Sequence, residues 1–138
     1  MKTSSIETIG ILNIFLAFCL LGAAFGRTID VRAEYGAMAN GIVDDSAKIQ
    51  AAISAANAGD VVQLRVDSTN SYKAFGVSKN IWLKAGITIE GTGTAYHLVA
   101  LEGTGGYTML SLNSDVTVRN INIDGKIIFF TSCTFRLN

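Results

Sequence analysis

The sequence predicts an all-β solenoid: short stacked strands, with one helix over the first coil. Three observations predict it. Strand-like pieces of three or four residues recur from Tyr72 to Phe135, separated by polar breaks of one to three residues. Such pieces are too short for most sandwiches. They suit a coil in which each strand stacks on its equivalent one turn below. The apolar alternation of Val116, Val118, Ile121 and Ile123 slips by one at Arg119-Asn120. A slip at asparagine suits a sharp corner, because asparagine tolerates the left-handed backbone region. Finally, one alanine-rich amphipathic segment precedes the strands, and the raw backbone edge of a first coil needs a cover.

The chain has 138 residues, 49% of them apolar and 16% charged, with a mean hydropathy of +0.38. That excludes a disordered polar chain. Eleven basic residues balance eleven acidic ones. Zero net charge argues against a nucleic-acid or anionic-membrane binder, which would need a basic surplus.

In order along the chain, residues 1–26 read as a secretory signal peptide. Lys2 opens the segment, no charge stands between Glu7 and Arg27, and 9–22 is an apolar run ending in Gly22-Ala-Ala-Phe-Gly26. A positive start, an apolar middle and a small-x-small exit carry that reading. Ala24 and Gly26 suit a cut before Arg27, and Gly22 and Ala24 offer another. A retained anchor helix is the alternative, at the short limit for crossing a core of about 30 Å. Without the signal, residues 27–138 form one domain. It is secreted, is no longer tied to a membrane and remains neutral. Cys19 leaves with the signal, so Cys133 has no partner for an internal disulfide.

Ile29-Asp-Val-Arg-Ala33 alternates and predicts a strand. Tyr35–Gly41 is a turn rich in glycine and asparagine. Asp44-Asp45-Ser46 offers acceptors to the free amides of a helix start. Ile49, Ala52, Ile53 and Ala56 then fall at i, i+3, i+4 and i+7, so the spacing predicts a helix over 45–58 with Gly59 as its C-terminal cap. From Asp60 to Val66 the period changes to two, predicting a strand. Further strand-like pieces are Tyr72–Phe75, Ile81–Leu83, Ile87–Ile89, Met109–Leu112, Val116–Val118, Ile121–Ile123, Ile127–Phe130 and Cys133–Phe135. Ile89-Glu-Gly91 and Ile123-Asp-Gly125 end two of them alike.

The opening of this domain resembles the pectate-lyase superfamily, which includes polygalacturonase-like enzymes and polysaccharide depolymerases. The resemblance is carried by Ile29-Asp-Val31, Tyr35-Gly-Ala37, Asn40-Gly41, Asp44-Asp45, Ile49-Gln-Ala-Ala-Ile53 with Ala56, and Val61-Val62. It covers 29–66 and is looser, at the level of rungs, over 81–135. Asn40 stands where the family usually carries aspartate. Arg65-Val66 replaces the proline and Gly-x-Tyr that usually follow the strand. The resemblance implies a right-handed, single-stranded parallel β-helix whose N-terminal end is capped by one α-helix, here stopping after about three coils. It also implies the lineage of a secreted polysaccharide-degrading hydrolase or lyase acting on a pectin-like substrate.

The full set of motifs for that chemistry is missing. Inversion at a glycosidic bond needs two carboxyl groups about 6.5–9.5 Å apart. Of the Asn-x-Asp, Asp-Asp, Gly-His-Gly and Arg-x-Lys elements that the resemblance implies for hydrolysis, only the Asn-x-Asp pattern occurs after residue 66, at Asn113-Ser-Asp115 and Asn122-Ile-Asp124, and neither stands with any of the others. Asp44-Asp45 reads as a cap. Glu90, Glu102, Asp115 and Asp124 are isolated, although Arg119 and Asp124 lie close enough in sequence to face one groove. His97 is the only histidine and has no triad or zinc motif around it. The expectation is therefore no catalytic residue, no metal and no cofactor in this chain. Tyr96, His97, Tyr107 and Trp82 can stack on sugar rings, with Trp82 expected in the core. The alternative function is a non-catalytic secreted module that binds glycan or associates with another chain. The final strands, with few charges and no proline, favour self-association through an open C-terminal coil.

Overall fold

The computed structural model describes residues 25–66, 74–93, 97–101 and 109–124. Strand β1, Thr28–Asp30, gives way at once to a one-turn helix α1, Val31–Tyr35. The strand expected over 29–33 is therefore cut short, and Asp30 is the reason. Its carboxylate accepts from the N–H groups of Arg32 (2.9 Å) and Ala33 (3.0 Å), capping α1. Gly36 ends the turn in the left-handed region, at φ 65°. Ile29 and Val31 stay buried on either side of the junction.

The amphipathic helix α2 is Ser46–Ala55, shorter than the expected 45–58. Its buried stripe is the expected one: Ile49, Ala52 and Ile53, continued by Ala56. The helix stops at Ala56, whose backbone is extended, rather than at Gly59. Asp60 holds that exit by accepting from the Asn57 N–H at 2.8 Å. Gly59, at φ 92°, instead turns the chain into the next strand.

The strands are β2 Val61–Arg65, β3 Phe75–Val77, β4 Ile81–Trp82, β5 Thr88–Thr92, β6 Leu98–Ala100, β7 Leu110–Ser111, β8 Thr117–Arg119 and β9 Ile123–Asp124. They form three all-parallel sheets, ordered β1-β2-β5-β8, β3-β6-β9 and β4-β7. From β2 onward the chain visits the first, second and third sheet in turn, then repeats. In the first sheet, Ile29, Val62, Ile89 and Val118 lie in register. Phe75, Leu98 and Ile123 do so in the second, and Ile81 and Leu110 in the third. These rows and the buried stripe of α2 share one core. Each fully buried aliphatic side chain contributes about 1.5–3 kcal/mol.

Three devices close the N-terminal edges of the sheets. Strand β1 covers β2. Asp44 bridges Gly76 of β3, and the Asp45 N–H donates to the Gly76 carbonyl at 2.8 Å. The Gln50 side chain covers β4. The helix is thus joined to the first strands by hydrogen bonds as well as by packing.

Several local expectations change. Leu98–Ala100 pairs as a strand, although its unbroken apolar run has no period of two. Ile121 lies outside β9. The matching endings Ile89-Glu90 and Ile123-Asp124 are not equivalent: Ile89 pairs within the first sheet and Ile123 within the second. The true partner of Glu90 is Arg119. The expected corner at Asn120 is present, with φ 54°. The signal-like segment up to residue 24 lies outside the described residues. So do Tyr72, the pieces Ile127–Phe130 and Cys133–Phe135, and with them the open final coil.

Candidate functional site

The acidic residues are occupied with structure. Asp45 is fully buried, and its two carboxylate oxygens accept from the N–H groups of Met38 and Ala39, each at 2.9 Å. It does not cap α2 with its side chain, as the sequence reading expected. The tight loop before the helix claims it instead, holding Ala39 in the left-handed region at φ 47°. Asp44 takes the capping role, accepting from the Ser46 N–H at 3.0 Å and from the hydroxyls of Ser46 and Ser78 at 2.5 Å. Desolvation acts to raise its pKa, but these donors outweigh it and hold the carboxyl below its ordinary value. Asn40 accepts from Ile42 and Val43, each at 3.0 Å. The opening motif is thus a hydrogen-bonded clamp.

The outer face of the first sheet carries a charged row. Asp30, Gln63, Glu90 and Arg119 lie in register, and Arg119 pairs with Glu90 at 2.9 Å. Arg65 pairs with Asp30 at 2.9 Å. Arg119 and Asp124 belong to different sheets, and the Arg119 side chain is engaged by Glu90. Asp115 sits in a turn at φ 55°. Glu102, Tyr96 and Tyr107 lie outside the described residues. Trp82 corrects the core expectation, being 63% exposed. In a two-residue strand the buried Ile81 takes the inner position, which turns the indole outward.

A cleft that gathers chemically distinctive groups lies beside His97. Gly91, Thr92, Gly93, His97, Asn120, Ile121 and Asn122 line about 610 Å³. The ring of His97 is 1% exposed, so it offers no surface for sugar stacking. Gly91 makes room for it. A Cβ there would fall 2.7 Å from two ring atoms and 2.2 Å from the Asn120 carbonyl oxygen. Nδ1 accepts from the Asn122 N–H at 3.1 Å, which fixes the neutral tautomer with its proton on Nε2. Burial pushes the His97 pKa down. The neighbouring Thr92 carbonyl favours the charged form, but does not complete a hydrogen bond to Nε2. Nε2 and Thr92 Oγ1 are both buried without partners.

This histidine does not have the wiring of a catalytic base. A triad histidine donates from Nδ1 to a carboxylate. His97 accepts there from the main chain. Nε2, carrying the proton, has no lone pair for a metal, and the described residues contain no group of three metal-ligating side chains. The sequence reading did not single out Thr92 or the role of Gly91. Two glycines at a strand end, Gly91-x-Gly93, were the available signal of a close backbone approach.

Comparison with family models, curated proteins and solved structures found no match to this chain.

Proposed function

We propose that this chain is the opening portion of a secreted, right-handed parallel β-helix of the pectate-lyase-superfamily type. In this reading it comes from a polysaccharide-degrading lineage, and its described residues provide the capped start of the coil rather than catalysis. The observation that carries the reading is the order in which the chain visits its three parallel sheets, together with the closure of all three N-terminal edges. A right-handed path follows from the strong preference of parallel crossovers for that hand. The engaged state of Asp30, Asp44, Asp45 and Glu90 supports a non-catalytic role for this portion. Its contact with polysaccharide is assigned to the exposed indole of Trp82, whose flat apolar face suits a pyranose ring.

The test is affinity electrophoresis of the secreted protein through gels containing polygalacturonate or neutral glycans, with assay of new reducing ends and unsaturated chain ends. Retardation without turnover is the expected result, and Trp82→Ala abolishes the retardation while leaving the melting temperature within about a degree, as for an exposed side chain. Turnover by this chain overturns the non-catalytic assignment. Free migration in every polysaccharide overturns the glycan reading and leaves chain association, which sizing then measures.

A further inference from the structure

The main-chain nitrogen of Arg27 lies 2.7 Å from Asp60 Oδ1. Asp60 is 7% exposed, and its other oxygen accepts from Asn57. The Arg27 carbonyl accepts from the Val61 N–H at 2.8 Å, so both main-chain groups of residue 27 are docked at the start of β2. Just before this contact Gly26 lies tight against the Gly59 carbonyl, and Phe25 is 90% exposed. Residue 27 is also the first residue after the small-x-small exit of the signal-like segment.

We propose that leader removal at Gly26–Arg27 converts this hydrogen bond into an ion pair. The new α-ammonium of Arg27 docks on Asp60 and locks β1 onto β2. The inference rests on the secreted reading above. A leader peptidase hydrolyses the amide. Water supplies the hydroxyl that leaves with Gly26 as a carboxylate, and the Arg27 nitrogen takes up protons to become the ammonium. Asp60 is prepared for that charge. Its carboxyl is held below its ordinary value by the Asn57 and Arg27 N–H groups, with Lys84 and Arg27 adding to the effect. The other charges near the site are the Arg27 guanidinium paired with Glu34, Asp30 paired with Arg65, and Lys84, whose Nζ donates to the Ala56 carbonyl. An ammonium gaining a carboxylate has a raised folded pKa. Its contribution is full below the ordinary α-amino value, about 7.7–8.0, and is lost as pH rises through the folded value.

The full chain is secreted from a host with a leader peptidase, and its intact mass and melting temperature are measured across pH. The expected mass is that of residues 27–138. Gly26→Ala leaves that mass and the melting curve unchanged, because residue 26 departs with the leader. The melting temperature of the wild-type protein falls above about pH 8, and Asp60→Asn lacks that fall. Should Asp60→Asn fail to fold, acylation of the α-amine on the wild-type protein decides. It is expected to be at least tenfold slower in the native state than in urea, the factor for about one pKa unit. A chain that retains its leader overturns both this inference and the secreted reading. A secreted chain starting elsewhere, one with parallel pH profiles, or one with equal acylation rates overturns this inference alone.

Discussion

The side-chain amide of Gln50 pairs with both main-chain groups of Trp82. Its Oε1 accepts from the Trp82 N–H at 2.8 Å, and its Nε2 donates to the Trp82 carbonyl at 3.0 Å. One side chain thereby imitates a neighbouring strand and blunts the edge of β4. Gln50→Ala removes both bonds and is expected to cost about 1–2 kcal/mol in denaturant unfolding. Gln50→Glu keeps the acceptor but puts a carboxylate against the Trp82 carbonyl, and should cost at least as much. Stability unchanged in both variants would show that the helix covers the edge by packing alone.

Asp45 answers two buried main-chain donors, Met38 N–H and Ala39 N–H. Asp45→Ala strands both, and the expected loss is about 2–4 kcal/mol from the cost of unpaired buried groups. Ala39→Gly tests the same loop in the opposite direction. It relieves a left-handed alanine at φ 47° and should leave stability equal or raised by up to about 1 kcal/mol. Equilibrium unfolding in urea measures both.

At Gly91 any side chain meets fixed backbone, since an added Cβ falls 2.2 Å from the Asn120 carbonyl oxygen. Gly91→Ala is expected to cost about 2–3 kcal/mol. Adding His97→Ala relieves the ring contact but not the carbonyl contact, so the double variant should not recover wild-type stability. Full recovery would place the ring, rather than the Asn120 carbonyl, as the obstacle.

Burial lowers the His97 pKa from its ordinary 6.5. The unfolded chain therefore takes up the proton first as pH falls. Stability attributable to this ring is full above about pH 6.5 and declines below it, until the folded pKa is reached. Asp44 and Asp60, also lowered, add a separate decline that begins near their ordinary value of 3.8. His97→Gln should remove the first decline and keep the second. Melting temperatures between pH 3 and 8 resolve the two.

Local rules made much of the fold legible. The i, i+3, i+4, i+7 stripe of Ile49, Ala52, Ile53 and Ala56 located the capping helix, because that face has no alternative to burial. The phase slip located the corner at Asn120, because the left-handed region is open to few residues. Short-range competition was harder to read. Asp30 satisfies two amide donors three residues ahead or fewer, and this outbids a strand pattern of equal length. Leu98–Ala100 carries no alternation, and becomes a strand only because Phe75–Val77 and Ile123–Asp124 flank it.

The sequence by itself determined the stacking of short strands and the amphipathic helix that carries Ile49, Ala52 and Ile53. Periodicity and residue chemistry act over a few residues and need no distant partner. Only the tertiary structure decided where the polar side chains are used. It turned Trp82 outward, sent Asp45 into the loop and Gln50 to the strand edge, and sealed His97 beneath Gly91. Those assignments depend on which backbone amides and carbonyls remain unpaired once the sheets have formed. Asp45 reaches back only six or seven residues, but 32 residues separate Gln50 from Trp82. A pattern of neighbours does not encode that distance.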